Sequence, residues 1–276
     1  MLRQSTKGEV QISYRTGADA ENQHVIRFPR EASHELAQNE SFFFLIEDGE
    51  DKRIKFHDYD AIYRRPGLYE QLFYERLRCE SPRIVASRLA GAVRNTGESV
   101  ETLRVLDLGA GNGIVSDELK HYGVARLVGL DIIESARDAA LRDRPAAYDE
   151  YLVADMTDPD PGTASTLGQW QLDTLTCVAA LGFDDIPAAA FVTASEAIAA
   201  NGWLAFNLKT DFLKPGDPGG FAALVKTMLD RDLIDLHLME RYRHRLSIDG
   251  EWLEYFVVVA RKRGPMPRDV LARFTP

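Results

Sequence analysis

Carboxylates end three mostly apolar runs in the middle of the chain, and a glycine-rich turn follows the first. Asp107 closes the run 103–106, and Gly109, Gly111 and Gly113 follow at alternate positions. Glycine there lets the backbone take positive φ and leaves no side chain between the turn and a ligand. Because a carboxylate beside the turn would repel a pyrophosphate and attract an ammonium or sulfonium group, the stretch predicts a pocket for a cationic ligand.

The other two carboxylates extend this pocket along a parallel sheet. Asp131 ends the run 126–130, at the distance from the glycine turn where nucleoside-binding α/β folds hold a ribose diol. Asp155, followed by Met156, ends the run 150–154. Ligands of such sheets bind outside the carboxyl ends of the strands, so we expect these side chains to share one site. The chain past the fourth strand, 182–187, is expected to rim it.

Alternating apolar runs and helical patterns supply the elements that position these residues. Near the end of the sequence, two long strand-like runs are joined by Asp249-Gly250, a hairpin signature. An antiparallel hairpin that closes a parallel sheet is not the pattern of dinucleotide dehydrogenases. Helices are predicted at 114–122, 135–144, 188–200 and 219–231, a loop at 157–162, further strands at 171–181 and 203–209, and the terminal strands at 236–247 and 252–261.

The first hundred residues predict an appendage rather than a second core. Two apolar runs, 41–46 and 53–56, flank an Asp-Gly turn and predict a hairpin. A short helix with Tyr59 and Tyr63 on one face precedes Pro66. Ser81-Pro82 reads as an N-cap and a first helical residue. Further predictions are β-like runs at 10–14 and 24–28, helices at 68–79 and 81–94, and a linker at 95–99.

The three motifs and the terminal hairpin together resemble the class I S-adenosylmethionine (SAM)-dependent methyltransferases, over residues 100 to 262. The resemblance implies a Rossmann-like, seven-stranded, mostly parallel sheet with a C-terminal antiparallel hairpin, in an α/β fold. We place an N-terminal cap of short strands and helices at 1–98, the SAM-binding core at 99–263 and a mobile tail at 264–276. The resemblance implies that Asp107, Gly109 and Gly111 hold the methionine end, Asp131 the ribose and Asp155 with Met156 the adenine. Ile132 and Ala179 are assigned to the same pocket.

The segment Tyr59-Asp60-Ala61-Ile62-Tyr63 looks like the Tyr-Asp-x-x-Tyr segment of small-molecule members of this family. In those enzymes it closes over the cofactor, and an aromatic face near a sulfonium contributes roughly 0.5–2 kcal/mol. The alternative is that these rings only pack the seam between cap and core.

Candidates for catalysis are fewer. Tyr63, His244 and His57 are able to handle protons, and Asn207 is a polar residue in an otherwise apolar strand. A buried amide needs partners, so Asn207 is either tied to backbone or directed at a substrate. No cluster of histidines and cysteines predicts a metal site.

Composition limits the partners. The net charge of −10 and a pI near 5.2 disfavour nucleic acid, and Arg241, Arg243 and Arg245 alternate as on a solvated strand face. Cys79 and Cys177 are too few for a disulfide framework and are expected to be free, buried thiols. No segment is apolar enough to span a membrane, and we expect a cytoplasmic monomer or homodimer.

These observations predict a SAM-dependent methyltransferase that acts on a small organic molecule, of the kind found in secondary metabolism, by in-line displacement at the sulfonium methyl. One alternative keeps every cofactor motif: attack at the γ-carbon of SAM, by cyclisation or aminocarboxypropyl transfer, with release of methylthioadenosine. Another is a regulatory subunit that binds SAM without turnover.

Overall fold

The computed structural model describes residues 23–29, 40–182, 185–213 and 220–274. The β-like run predicted at 10–14 lies outside these ranges.

The N-terminal region begins with a small antiparallel sheet. Its strands are β1 (Val25–Arg27), β2 (Phe42–Glu47) and β3 (Glu50–Lys55), in the order β1-β2-β3. Asp48 and Gly49 link β2 to β3 with φ of 55° and 81°, as a tight hairpin turn requires. The predicted hairpin is therefore confirmed, and the run 24–28 forms its third strand.

Three helical segments follow. Helix α1 (Tyr59–Tyr63) starts at Asp58, whose carboxylate accepts from the Ala61 amide. Helix α2 (Leu68–Glu70) runs into a π-helical turn (Gln71–Arg76), so the predicted helix 68–79 ends early.

Helix α3 (Ser81–Asn95) corrects one prediction. Its N-cap is Glu80, and Ser81 is the first helical residue. The Ser81 hydroxyl contacts Tyr242 and His244 rather than the helix amides, because the start of α3 packs against a neighbouring strand.

A seven-stranded sheet forms the core and confirms the predicted fold. Its order is β6-β5-β4-β7-β8-β10-β9, parallel except for β10. The strands are β4 (Arg104–Leu108), β5 (Arg126–Asp131), β6 (Glu150–Val153), β7 (Thr174–Cys177), β8 (Trp203–Lys209), β9 (Ile234–Leu246) and β10 (Trp252–Lys262).

Helices cover both faces of this sheet. Helices α3 and α4 (Ile114–His121) pack on one face. On the other lie α6 (Pro161–Trp170), α7 (Ala188–Glu196), α8 (Phe221–Asp230) and α9 (Arg268–Phe274). Helix α5 (Glu134–Asp143) packs against the cap. With both faces covered, the parallel strands are nearly continuous apolar runs.

Two segments differ from the sequence predictions. The loop predicted at 157–162 is confirmed for 157–160, but α6, which was not predicted, begins at Pro161, and Asp160 caps it by accepting from the amides of Gly162 and Thr163. The tail predicted at 264–276 contains α9, and Met266 and Val270 are buried against the core. The prediction of a mobile tail is therefore wrong for the described part of this segment, because its apolar side chains pack against the core and α9 contacts α7.

The pairing of β9 with β10 contains a bulge. Leu253 faces Arg245 and Glu254 faces Arg243, so His244 is an extra residue on β9. An extra residue reverses the alternation of side chains past it. Arg241 and Arg243 are exposed as predicted, but Arg245 is buried, and the solvated face predicted for the whole basic cluster is wrong at this position.

Within the described ranges, every helix is too short or too polar to cross a lipid bilayer.

Candidate active site

A cavity of about 270 Å³ lies at the carboxyl ends of the parallel strands, between the sheet and the cap. Its floor comes from the segments that leave β4, β5, β6 and β7, where ligands of open α/β sheets bind. Its roof comes from the cap, as the side chains of His57, Tyr59, Tyr63 and Tyr69. The cavity thus forms where the sequence predicts a ligand.

The glycine turn shapes the floor. Gly109 has φ of +73°, and the amides of Gly109 and Ala110 both donate to the Leu130 carbonyl, at 2.8 and 3.1 Å. A Cβ on Gly109 would lie 2.7 Å from Cδ1 of Ile186. Only glycine fits here, since both the backbone angle and the space exclude a side chain.

Asp131 presents its carboxylate to the cavity in a fixed orientation. Its Oδ2 accepts from the Gly111 amide at 2.9 Å and its Oδ1 from the Ile133 amide at 3.0 Å. Burial raises the pKa of Asp131, and these amides act in the opposite direction. A carboxylate has about four lone-pair sites, so it retains capacity to accept from a diol.

Asp107 is not among the residues that line the cavity, which corrects its predicted position beside the ligand. It is buried below the turn, where Tyr148 donates to Oδ2 and Thr176 to Oδ1, both at 2.7 Å. Burial raises the pKa of Asp107 to about 6, although the two hydroxyls oppose this. Its position shows that Asp107 supports the floor from beneath.

The remaining predicted cofactor residues, except Gly111, line the cavity. Met156 is buried, whereas the Ile132 side chain is 58% exposed at the cavity wall. Asp155 accepts from the amide and hydroxyl of Thr157. Ala179 has φ of +57°, and the Asn207 side chain accepts from its amide at 2.7 Å.

The roof is a cluster of aromatic rings. Tyr59 stacks on Tyr63 with ring centres 6.0 Å apart, and Tyr63 lies 5.1 Å from Tyr69. Burial raises the pKa of all three hydroxyls, so the rings stay neutral. The Tyr63 hydroxyl rests on Gly111, where an added Cβ would approach it to 2.5 Å.

Polar contacts between side chains hold the roof on the core. Glu70 accepts from Arg144 at 2.8 Å and from the Asn112 side chain at 2.6 Å. Ser135 donates to Asp60, and Arg142 donates to the Tyr63 carbonyl.

His57 and Asp185 form a pair in the cavity wall, with 2.9 Å between Nδ1 and the carboxylate. The sequence names His57 only as one of several proton-handling candidates. Asp185 lies in the segment 182–187 that was expected to rim the pocket, of which 183 and 184 fall outside the described residues. Nothing in the sequence pairs the two, because they are 128 positions apart.

Two of the three predicted catalytic residues lie outside this cavity. Asn207 accepts from the Ala179 amide and donates to Tyr242 at 2.7 Å and to Ser81. His244 is bonded to the Ser81 hydroxyl at 2.6 Å, and burial lowers its pKa. Asn207 is therefore tied to backbone, the first of its two interpretations. Tyr63 alone of the three faces the cavity.

Sequence reasoning missed Tyr69 and Ile133 as wall residues, whereas Asp185 and Ile186 lie in the segment 182–187 that was expected to rim the pocket. The density of tyrosines after Tyr59 was the available signal for Tyr69. The cysteines are both free, but Cys79 is only partly buried. No group of metal-ligating side chains occurs among the described residues.

Comparisons with known proteins agree with this geometry. Residues 106–206 match a family model described as a methyltransferase domain, and this range contains the end of β4, strands β5 to β7, the glycine turn, Asp131 and Asp155. No protein of curated function matches the chain significantly.

Solved structures with a similar fold are distant in sequence. A Burkholderia thailandensis 1,6-didemethyltoxoflavin-N1-methyltransferase, solved with its acceptor and S-adenosylhomocysteine, is 16% identical, with 80% of this chain and 95% of that chain covered and a TM-score of 0.47. The Synechocystis magnesium protoporphyrin IX methyltransferase with bound SAM is 16% identical over 66% and 79%, with a TM-score of 0.45. A SAM-dependent methyltransferase from Anabaena variabilis is 14% identical over 74% and 93%, with a TM-score of 0.47.

A methyltransferase-family match, a glycine turn and strand-end carboxylates coincide at one cavity. Residues 106–206 therefore form a methyltransferase domain, and the cofactor of that domain is S-adenosylmethionine.

Proposed function

We propose that the protein transfers the methyl group of SAM to a small organic molecule held under the tyrosine roof. The observation that carries this proposal is that Tyr59, Tyr63 and Tyr69 cover the strand-end cavity. A covered cavity suits a compact acceptor better than a polymer. The net charge of −10 also works against RNA and DNA, because the protein's field repels polyanions.

Each part of SAM has a chemically matched group in the cavity wall. We assign the ribose hydroxyls to the oriented carboxylate of Asp131. We assign the adenine to the crevice formed by Ile132, Asp155 and Met156, since exposed apolar surface at Ile132 suits the face of a base. The methionine end then lies along Gly109 and Ala179.

When bound, SAM supplies a methyl carbon that its sulfonium has already activated. The protein aligns the two reactants and excludes water, which lowers the barrier to an in-line displacement by several kcal/mol. The tyrosine faces stabilise a nearby cation by roughly 0.5–2 kcal/mol. We assign proton removal from the acceptor to His57, with Asp185 as its positioning residue, in place of Asn207 and His244.

The substrate class is tested with methyl-labelled SAM. The enzyme is incubated with a metabolite ultrafiltrate of its source cells and, separately, with the retained nucleic acid and protein. We expect label in the low-mass products together with S-adenosylhomocysteine. Label confined to the macromolecules would contradict the proposal, and methylthioadenosine as the sulfur product would instead indicate attack at the γ-carbon.

The ribose assignment is tested by calorimetry with S-adenosylhomocysteine. Asp131→Ala removes charge-assisted hydrogen bonds, so we expect affinity to fall by roughly 1.5–3 kcal/mol. The control, Asp158→Ala, makes the same change at an exposed position outside the cavity lining and should bind as wild type does. Equal affinities for all three proteins would refute the assignment.

A further inference from the structure

The bulge in β9 directs the Arg245 side chain into the protein, where it is only 5% exposed. Its guanidinium lies over the rings of Phe56 and Phe73, at 5.6 and 5.8 Å from their centres. One of its N–H groups donates to the Leu246 carbonyl at 2.8 Å. Bulges commonly redirect a side chain next to an active site. This bulge redirects an arginine, which stays positively charged in proteins.

This guanidinium uses few of its hydrogen-bonding groups. An arginine has five N–H donors, and on the described part of the chain Arg245 makes one hydrogen bond and no ion pair. A buried charge without a counter-ion costs several kcal/mol. Such a group therefore favours an anion brought by a ligand.

Space for that anion lies beside Arg245. A second cavity, of about 30 Å³, is lined by Phe56, Phe73, Cys79, His244 and Arg245 among others. It shares His57, Tyr59, Tyr69, Ala179 and Asp185 with the main cavity. The two spaces are thus adjacent, with these five residues between them, and the smaller one has the size of a carboxylate or of one or two water molecules.

The other polar groups that line the small cavity do not make its net charge negative. Burial, and then the charge of Arg245, lower the pKa of His244, so this imidazole is neutral. Burial raises the pKa of Cys79, Tyr59 and Tyr69, which keeps them neutral as well. Among the described residues of the lining, Asp185 is the one carboxylate, and it is paired with His57.

We propose that Arg245 is the residue that recognises the acceptor, and that the acceptor carries a carboxylate. This inference rests on the proposed function, since it names the substrate class of the same site. The carboxylate binds the guanidinium in the small cavity, and the body of the acceptor extends under the tyrosines toward the cofactor. A bidentate Arg–carboxylate pair adds geometric specificity to charge attraction, so it orients the acceptor atom that receives the methyl group.

The test uses the complex with S-adenosylhomocysteine, whose formation is measured first. Arginine Nε–Hε signals are then followed by NMR at neutral pH during titration with acetate and, separately, with the neutral isostere acetamide. The signal missing in Arg245→Met identifies Arg245. We expect acetate to shift this signal saturably and acetamide not to shift it.

Two variants complete the experiment. Arg245→Met keeps the apolar stem between the phenylalanines, and its folding is checked by thermal unfolding. Arg245→Lys keeps the charge, and it replaces Arg245→Met in the comparison if the methionine variant does not fold. Acetate affinity of the variants is measured by calorimetry, because they lack the Arg245 signal, and we expect it to fall at least about tenfold in Arg245→Met and less in Arg245→Lys. Arg243→Met, on the exposed face of the same strand, should bind acetate as wild type does.

The outcomes separate the two proposals. If S-adenosylhomocysteine binds but acetate gives no saturable shift, or acetamide gives the same one, the inference about Arg245 is overturned and the proposed function stands. If acetate binds equally to wild type and both Arg245 variants, the inference is likewise overturned. If acetate binds at Arg245 but the labelling experiment finds no low-mass acceptor, the proposed function fails, and Arg245 remains an anion site without its role in binding the acceptor.

Discussion

The floor and the roof of the cavity are built in different ways. In the floor, main-chain groups hold the geometry: the Leu130 carbonyl binds two turn amides, and two more amides fix the Asp131 carboxylate. In the roof, aromatic side chains hold the geometry, together with ion pairs and hydrogen bonds from α1 and α2 to α5. The floor thus depends on backbone conformation at the ends of neighbouring strands, whereas the roof depends on side-chain contacts between residues more than 70 positions apart.

This difference predicts unequal responses to mutation. The glycines of the floor have positive φ, which other residue types adopt only with strain, so replacing one of them destabilises the fold. A roof residue sits among side chains that are able to move, so its replacement costs less. Three experiments test this contrast.

Gly111 is where floor and roof meet, and we expect the largest effect there. Gly111→Ala places a Cβ at φ of +53° and 2.5 Å from the Tyr63 hydroxyl, so we expect it to destabilise the protein by about 3 kcal/mol. The control is Gly97→Ala, at φ of +81° with open space around it, which should cost only about 1 kcal/mol. Both are measured by urea unfolding.

A double variant separates contact from backbone strain. Tyr63→Phe removes the hydroxyl that the new Cβ would meet, so Gly111→Ala should cost less in that background. If Gly111→Ala costs the same as Gly97→Ala, the close fit of floor and roof is wrong.

Asp107 should make the stability of the floor depend on pH. Its pKa is about 6 in the folded protein, against a reference value of 3.8, so the folded state binds more protons between these values. The contribution of Asp107 to stability therefore declines as pH rises from about 4 to 6, by about 3 kcal/mol in total.

Asp107→Asn removes this titration. We therefore expect the unfolding free energy of Asp107→Asn, relative to that of wild type, to increase between pH 4 and pH 7. The substitution also has an effect that does not depend on pH, and that effect does not alter this trend. If this difference does not change with pH, burial does not raise the pKa of the Asp107 carboxyl.

The roof contact Glu70–Arg144 should show the smallest effect. The two side chains are 26% and 15% exposed, and Glu70 also binds Asn112 in the glycine turn. Glu70→Gln should cost about 1 kcal/mol. Glu80→Gln, in the exposed pair with Arg83, is the matched control and should cost no more than a few tenths. Thermal unfolding of both variants measures this, and equal small losses would mean that the contact does not anchor the roof.

Local patterns predicted much of the fold correctly. The Asp48-Gly49 turn, the positions of the core strands along the chain and the terminal hairpin follow from residue types within a few positions of each other. Helix α6 was missed although Asp160 and Pro161 give a start signal, because Thr163 to Trp170 lack a strong apolar stripe. Helix α9 was missed because its stability comes from packing against α7.

For the site, the same patterns located Gly109, Asp131 and Asp155 but not the neighbours that decide their environment. Asp107 looks like a ligand from its position before the turn, yet hydroxyls of Tyr148 and Thr176, 41 and 69 residues away, hold it below the floor. Asn207 looks catalytic because it is polar in an apolar strand, and His244 because an imidazole is able to handle protons, yet both form hydrogen bonds within the protein.

By itself the sequence determined the parallel sheet, the glycine turn and the carboxylates at the strand ends, because these depend on backbone conformation and on which residues follow one another. Only the tertiary structure decided which tyrosines cover the cavity, that His57 meets Asp185 and that Arg245 is buried. Those features depend on contacts between distant residues and on a single extra residue in β9, and alternation along a strand cannot show where such a bulge lies.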